Sequence, residues 1–196
     1  MGRKAHFTNE QFYSAAMSRV AENGPESVTV ASIAEAIGAP VGSVYHRFSS
    51  REMIMAGLWL SIAESFQKGF LEILNAGDCI AASLYTPQWV RRNPIESKIL
   101  LLYRREELIG GEWPEQVRER AEGLEQELRS GLNSFVKKQF GRCSEKNIRR
   151  TVFALIDVPL ASVRRHLEND ETPPEYVDEL VRETCITMME VRNENI

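Results

Sequence analysis

Apolar residues recur at helical spacing through most of the chain, and the clearest case lies between residues 29 and 51. In TVASIAEAIGAPVGSVYHRFSSR the positions i, i+3, i+4 and i+7 are apolar: Val30, Ile33, Ala34 and Ile37. This spacing predicts one inward face of a short helix. Thr29 stands where its side chain can cap the helix N-terminus. Gly38 follows the last apolar position, where a left-handed residue ends many helices.

A second short helix is predicted directly after this glycine. Pro40 suits a first helical position, the helix reaches about His46, and Val44 is placed to face inward. Two short helices joined by a tight glycine turn predict a helix-turn-helix. A helix before it opens with Thr8 and Gln11 as a capping box. Its predicted inward residues, and an aromatic that closes the same core, are Phe12, Ala15, Ala16, Val20 and Phe48.

The rest of the chain predicts further helices and no strand, so the expected class is all-α. Helices are expected from Ser49 to about Gly77, Asp78 to Arg92, Ile95 to Gly110, Trp113 to Gly141, Ser144 to Leu167 and Thr172 to Val191. Pro159 should kink the fifth of these. We predict a helix-turn-helix domain over residues 1–50, and a helical domain for effector binding and dimerisation over 51–196.

The last two helices predict an interface between two copies of the chain. The helix that begins at Ser144 is apolar on most of its circumference, so it needs cover on two faces. A partner subunit would supply the second cover in a four-helix interface. The residues expected there are Val152, Ile156, Leu160, Val163, Val177, Leu180, Val181, Thr184 and Met188. Asp157, an acid within the apolar helix, would pair with Arg164 across the dimer or meet a polar group of a ligand.

Aromatic residues are candidates for an effector pocket in the helical domain. Apolar cavities between helices are common small-ligand sites. The candidates are Trp59, Phe66, Trp89, Tyr103 and Phe153. Aromatics at helical spacing are also ordinary core, and both interpretations stay open here.

Charge and cysteine content narrow the function class. The net charge is −4; residues 1–51 hold five basic and four acidic residues, so +1 lies there and −5 elsewhere. A domain with this weak positive charge would bind DNA better as a dimer, which doubles the contacts. Three cysteines lack the spacing of metal ligands or of a disulfide framework. No apolar run is long enough to span a bilayer and no secretory signal is evident, so we expect a cytoplasmic protein.

Catalytic motifs are absent from the sequence. It has no G-x-S-x-G, phosphate loop or H-E-x-x-H, and no Glu-x-x-His of the kind that di-iron bundles use. We therefore expect no enzyme activity, no cofactor and no metal site.

The run Thr29 to Glu52 resembles the DNA-binding signature of the tetracycline-repressor (TetR-type) family of bacterial transcription regulators. The resemblance is strongest over Gly42-Ser43-Val44-Tyr45-His46-Arg47-Phe48, preceded by Ile33-Ala34 and Ile37-Gly38. It covers about the first quarter of the chain. It implies an N-terminal three-helix DNA-binding domain, and a dimer formed by the last two long helices.

The resemblance also implies site residues. Positions that match Thr29, Tyr45, His46 and Arg51 commonly contact the DNA backbone in the family, and a basic arm such as Arg3-Lys4 reaches phosphate or the minor groove. From side-chain chemistry, Gly42 permits close approach of the backbone to DNA and Ser43 donates to a phosphate or base edge. Two positions depart from the family pattern: Pro40 replaces Ser or Thr, which removes a hydroxyl, and Arg51 replaces Lys, which keeps the charge.

The expected function is therefore a ligand-responsive, dimeric transcriptional regulator of double-stranded DNA. The resemblance implies a repressor that binds a palindromic operator and is released by a small apolar or aromatic effector. One alternative is a DNA-binding regulator controlled by a protein partner without a small ligand. Another is a helical interaction module or an enzyme that reuses the scaffold.

Overall fold

The computed structural model describes residues 7–103, 113 and 115–190. Its α-helices are α1 (Asn9–Asn23), α2 (Val30–Ile37), α3 (Val41–Tyr45), α4 (Arg51–Ala76), α5 (Cys79–Arg92), α6 (Pro94–Ser97), α7 (Glu115–Phe140), α8 (Glu145–Val152), α9 (Val158–Glu168) and α10 (Tyr176–Met189). A 3-10 turn covers Pro25–Ser27, and π-helical turns cover Lys98–Leu102 and Phe153–Asp157. No strand occurs in the described residues, and the predicted all-α class is confirmed.

Packing divides the chain into two units. Unit 1 comprises Met1–Ile62 and Tyr103–Ala121, and unit 2 comprises Ala63–Leu102 and Glu122–Ile196. Both divisions fall inside long helices, α4 and α7. The predicted domain boundary at residue 50 was placed at the end of the helix-turn-helix motif. The limits of the two packing units lie at other positions, inside α4 and α7.

The core of unit 1 forms around an aromatic contact between α1 and the segment after α3. The Phe12 and Phe48 rings meet edge to face with centroids 5.4 Å apart, and the Tyr13 ring lies 5.8 Å from Phe48. Ile33 and Val44 are fully buried in the same unit. The predicted inward residues of α1 and the core position of Phe48 are thus confirmed, because all of these side chains are buried.

The core of unit 2 brings α5 and α10 together with the helices around them. Its buried cluster contains Phe70, Leu71, Leu74, Ala82, Leu132, Phe135, Ala154, Leu155, Cys185 and Met189. Arg91 of α5 holds the start of α10 in place. Its Nε donates to Pro173 O at 2.7 Å, and its guanidinium forms a bidentate ion pair with Asp178, whose shorter contact is 2.7 Å. This anchor joins residues more than 80 positions apart, so the sequence pattern gave no sign of it.

Several predicted helix starts are confirmed, and two are shifted. Ser144 Oγ accepts from Asn147 N at 3.3 Å, and Asp78 Oδ1 accepts from Ala81 N at 2.9 Å. Helix α4 begins at Arg51, two residues after the predicted start at Ser49, and Ser50 Oγ accepts from Met53 N. The last helix begins at Tyr176 and is not capped by Thr172, since Pro173 and Pro174 lie between them.

The helix that contains Pro159 departs from regular α geometry just before the proline. A π-helical turn occupies Phe153–Asp157, and α9 then starts with Pro159 in its first turn. Proline has no N–H to donate to the carbonyl four residues earlier, so a regular helix cannot pass through it unchanged. The regular α-helix is thus interrupted just before Pro159 by this wider turn, and the kink of the helix axis stays a prediction.

None of the helices in the described part of the chain combines the length and the apolarity needed to cross a membrane.

Candidate nucleic-acid interface

Reciprocal caps define the start of α2. Ser32 N donates to Thr29 Oγ1 at 3.0 Å, and Thr29 N donates to Ser32 Oγ at 2.9 Å. The predicted Thr29 cap is confirmed. The Thr29 hydroxyl accepts this bond and keeps its own proton, which remains a donor for a phosphate oxygen. The exposed position of Thr29 leaves that side open to solvent.

The turn between α2 and α3 has the geometry that its glycine predicts. Gly38 has a φ of 67°, in the left-handed region, and its N–H donates to Glu35 O at 3.2 Å. Pro40 is the N-cap residue of α3 at φ −58°, so the helix begins at Val41, one residue later than expected. The predicted helix-turn-helix is therefore present, with α3 spanning Val41–Tyr45.

Helix α3 buries a single side chain and exposes the others. Val44 is completely buried, whereas Tyr45 is 56% exposed. Gly42, Ser43 and His46 are also exposed. One inward anchor thus holds a surface that carries a phenol, a hydroxyl and an imidazole, which are hydrogen-bonding groups suited to phosphates and base edges.

Gly42 lies on this open surface. A Cβ atom placed there would meet no other atom within 4 Å, and the residue does not have a positive φ. Folding of the chain therefore does not require glycine at this position. The open space around Gly42 is consistent with the prediction that glycine there permits close approach of the backbone to DNA.

Arg51 has a structural role that the sequence did not reveal. Its Nε donates to Val28 O at 2.9 Å and its Nη2 donates to Pro25 O at 2.7 Å. The guanidinium thereby ties the first turn of α4 to the segment that precedes α2. The phosphate contact implied for Arg51 stays a prediction, and the donors used here are no longer available for it.

This surface also includes Arg47 and the first residues of α7, which sequence reasoning missed. Arg47 Nη1 donates to Asn9 Oδ1 at 2.9 Å, and its guanidinium lies 5.9 Å from the Phe12 ring centroid. A groove of about 410 Å³ beside the end of α3 is lined by Tyr45, His46, Arg47, Ser49, Met53, Glu115 and Gln116. The contribution of α7 is a long-range contact, which helical periodicity cannot predict. The predicted basic arm, Arg3 and Lys4, lies outside the described residues.

The expected effector-pocket residues do not form one cluster within either unit. Trp59 packs edge to face on Trp113 in unit 1, with centroids 4.9 Å apart. In unit 2 Phe66 lies 4.9 Å from Trp89 and 5.1 Å from Tyr85, and burial raises the pKa of the Tyr85 hydroxyl. These rings fill space by contacting one another. The separate groove of unit 2, about 350 Å³, is lined mainly by polar residues of α4 and α7.

The structure corrects one pocket residue and three interface residues. Phe153 is 45% exposed, because the π-helical turn directs it away from the core, so it does not line an internal pocket. Val163, Val177 and Val181 are buried inside their own subunit and are inaccessible to a partner.

The other residues predicted for the interface remain accessible. Leu180 is 57% exposed, and Val152, Ile156, Leu160, Thr184 and Met188 are partly exposed. Phe153, Tyr176 and Ile186, which were not predicted for the interface, are also exposed large side chains of this region. Arg164 pairs within its helix with Glu168 at 3.0 Å, and the contact of Asp157 with Arg164 across a dimer stays a prediction. Among the described residues there is no group of three or more side chains that could hold a metal ion.

Comparison with known proteins matches this geometry. Residues 12–58 match the model of a family described as bacterial regulatory proteins, tetR family. No curated protein matches the chain in sequence.

Several solved structures share the fold over nearly the whole chain. A transcriptional regulator from Rhodococcus sp. is 18% identical, with 93% of this chain and 96% of that one covered and a TM-score of 0.71. FadR from Bacillus subtilis, solved in complex with stearoyl-CoA, is 16% identical, with coverage of 93% and 98% and a TM-score of 0.67. FadR from Bacillus halodurans is 16% identical, with coverage of 97% and 99% and a TM-score of 0.66. At these identities the likeness concerns the fold alone.

Proposed function

We propose that this chain is a TetR-type DNA-binding regulator, as the match of residues 12–58 to that family indicates, and that α3 enters the major groove of an operator while α2 lies across the DNA backbone. The observation that carries the proposal is the pattern of burial in α3. Val44 is fully buried, and every other residue of the helix is exposed. Because only one side chain of α3 packs in the core, the other side chains are accessible to an external partner.

Each exposed group of this surface has a role in the proposal. Tyr45 and His46 contact phosphates, and the Tyr45 ring also touches a thymine methyl. Ser43 donates to a phosphate or base edge, and Thr29 donates its remaining proton to a phosphate. Gly42 lets the DNA backbone approach closely. Arg3 and Lys4 complete the proposed set of contacts. Arg51, whose Nε and Nη2 donate to Val28 O and Pro25 O, is proposed to hold the motif in place and not to contact phosphate.

We propose that the active species is a homodimer formed through the exposed side of α10 and the turn before α9. Support comes from Phe153, Tyr176, Leu180 and Ile186, whose large apolar side chains are all more than 40% exposed. Two recognition helices about 34–36 Å apart would match a palindromic operator with half-sites one DNA turn apart. Such a protein would work in the cytoplasm as a repressor, by occupying the operator.

The effector in this proposal is a small apolar or aromatic molecule that releases DNA. The aromatic cluster of Phe66, Tyr85 and Trp89 supports an apolar binding region in unit 2, and a similarly folded regulator was solved with a fatty acyl thioester. Release requires that the effector bind the DNA-free state more tightly than the DNA-bound state. Helix α4, which begins beside the helix-turn-helix, would carry the change.

A second candidate is a regulator that responds to a protein partner without a small ligand. It is favoured by the direct ring contacts of the aromatic cluster, which are those of a filled core. Thermal unfolding against a panel of aromatic compounds and long-chain acyl thioesters separates the two. A raised midpoint together with DNA release by the same compound supports the effector. If no compound raises the midpoint or releases DNA, the result supports regulation by a protein partner.

Fluorescence anisotropy with labelled duplex DNA tests the DNA-binding proposal itself. We expect the logarithm of affinity to fall linearly with the logarithm of salt concentration, as counterions are released from contacted phosphates. Tyr45→Ala should weaken binding by about tenfold while the unfolding midpoint stays unchanged, since the side chain is mostly exposed. Absence of salt-dependent binding would favour an interaction module or an enzyme on this scaffold.

A further inference from the structure

Two cysteines that are 106 residues apart meet in unit 2. Cys79 is the first residue of α5, and Cys185 lies in the buried side of α10. The Cys185 thiol donates to the backbone carbonyl of Cys79 across a distance of 3.4 Å between sulfur and oxygen. Both side chains pack in the same apolar cluster. The fold therefore places two thiols side by side that the sequence had separated.

The two thiols interact with each other but differ in accessibility. Cys185 is completely buried, whereas Cys79 is only partly buried. Burial raises the pKa of the Cys185 thiol to about 11; a hydrogen bond from Ser83 opposes this, and the neighbouring Cys79 thiol adds to it. The buried thiol thus stays protonated and is shielded from solvent. A dissolved oxidant reaches Cys79 first.

We propose that Cys79 and Cys185 form a redox pair that a peroxide converts to an intramolecular disulfide between α5 and α10. In the first step the Cys79 sulfur attacks a peroxide oxygen and the O–O bond breaks, which gives a sulfenic acid and one water. In the second step the Cys185 sulfur attacks the sulfenic sulfur, the S–S bond forms and the S–O bond breaks. The leaving hydroxide takes the Cys185 proton as a second water. Two thiols lose two electrons in total, and hydrogen peroxide receives them.

A disulfide between Cys79 and Cys185 would restrain α10, the helix that carries Cys185. At 100° per residue, Cys185 lies on the side of α10 opposite Tyr176 and Leu180, which the proposed function assigns to the dimer interface. A covalent bond at Cys185 would fix the interface helix to α5. This consequence rests on the proposed function, whereas the disulfide itself does not.

Mass spectrometry of the full chain tests the pair directly. The experiment uses a Cys143→Ser background, because Cys143 is exposed and would otherwise link two chains. After treatment with hydrogen peroxide the protein is unfolded and alkylated. We expect a loss of two hydrogen atoms in mass, no alkylation, one cross-linked peptide that joins residues 79 and 185, and full recovery of both thiols with a thiol reductant.

A matched variant identifies the order of the two steps. In Cys79→Ser, with Cys143→Ser also present, we expect Cys185 to remain reduced and to be alkylated quantitatively after the same treatment. Over-oxidation of Cys79 to sulfinic acid without cross-linking would overturn the proposal, as would two thiols that both stay alkylatable. Neither readout involves DNA or dimerisation, so failure here is separable from failure of the proposed function. Sedimentation of the oxidised and reduced protein then measures the effect on the dimer.

Discussion

Each unit exposes large apolar side chains, but over very different lengths of helix. In unit 1 the exposed pair is Val41 and Tyr45, one helical turn apart, or about 6 Å. In unit 2 the exposed residues of α10 run from Tyr176 to Ile186, about 15 Å along the helix. A short surface mixed with Ser43 and His46 suits insertion into a groove with hydrogen-bonding walls. A long apolar surface suits another helix.

The two proposed surfaces therefore differ in the kind of external partner that each would bind. Apolar area drives association without directing it, whereas hydrogen-bonding groups give specificity. Among its described residues, unit 1 exposes two large apolar side chains, Val41 and Tyr45, beside several hydrogen-bonding groups. Unit 2 exposes four, Phe153, Tyr176, Leu180 and Ile186, which supports the proposed subunit interface.

The largest expected effect comes from a charge in the apolar surface of unit 2. Leu180→Glu should abolish the dimer, because an unpaired carboxylate would be buried between subunits. Affinity for operator DNA should fall by at least about 100-fold, since a monomer makes half of the contacts. Analytical ultracentrifugation and anisotropy measure the two effects.

The control for this variant is Arg182→Gln, which changes the charge by the same amount. Arg182 is exposed and, at 100° per residue, lies about 160° around α10 from Leu180. It should leave both the dimer and the DNA affinity intact. A dimer that survives Leu180→Glu would show that the interface lies elsewhere.

The next effect concerns the guanidinium that anchors unit 1. Arg51→Ala should reduce the free energy of unfolding by about 2 kcal/mol, because two partly buried carbonyls lose a charged donor. If Arg51 also contacts phosphate, the salt slope of DNA binding should fall by roughly one. We expect the loss of stability without the change in slope, since Pro25 and Val28 occupy its donors.

Chemical denaturation and salt titration of the same Arg51→Ala preparation separate these outcomes. Arg51→Lys serves as the comparison, because it keeps the charge but cannot make both carbonyl contacts. A lower salt slope in Arg51→Ala, with full slope in Arg51→Lys and no loss of stability in either, would reverse this assignment.

Two glycines of α4 test whether the units are stabilised separately. A Cβ at Gly57 would overlap the Tyr13 hydroxyl in unit 1, and one at Gly69 would overlap the Tyr85 hydroxyl in unit 2. Each change to alanine should cost about 1–3 kcal/mol through overpacking. Hydrogen exchange should show Gly57→Ala lowering protection mainly in α1–α3, and Gly69→Ala mainly in α5 and α10.

Removal of the opposing hydroxyl should restore stability in this experiment. Tyr13→Phe in the Gly57→Ala background, and Tyr85→Phe in the Gly69→Ala background, relieve part of each overlap. Equal loss of protection across the whole chain in both glycine variants would contradict a division into two units.

The smallest effect, but the most specific, is expected at Gly42. Gly42→Ala meets no atom of the protein and should raise stability slightly, since alanine favours helix by up to about 1 kcal/mol over glycine. DNA affinity should nevertheless fall by about tenfold, because the methyl group would hold the DNA backbone away. Gly123→Ala in α7, which also meets no atom, should raise stability without any effect on DNA binding.

The sequence predicted features that depend on neighbours along the chain and missed those that depend on distant ones. The Thr29 cap, the left-handed Gly38 and the buried Val44 each follow from a few adjacent residues, and all three are confirmed. The anchors made by Arg51 and Arg91 join segments that only the fold brings together. No periodicity encodes such contacts.

The outward face of α10 shows a second kind of limit. Leu180 fits an inward stripe as well as Val181 does when hydrophobicity alone is counted, yet the buried residues are Val177, Val181, Cys185 and Met189. The difference is a rotation of the helix that depends on where α5 lies. Phe153 was misplaced for a related reason, since an unpredicted π-helical turn alters the phase of the side chains around it.

Selection of bound sequences from a pool of random duplex DNA shows whether a dimer of this chain reads DNA through α3. We expect recovery of an inverted repeat with half-sites about one helical turn apart, because two copies of α3 would read equivalent bases. Leu180→Glu should fail to enrich the same repeat. Enrichment of a single half-site, or of no sequence at all by the wild-type chain, would contradict a dimer that reads DNA through α3.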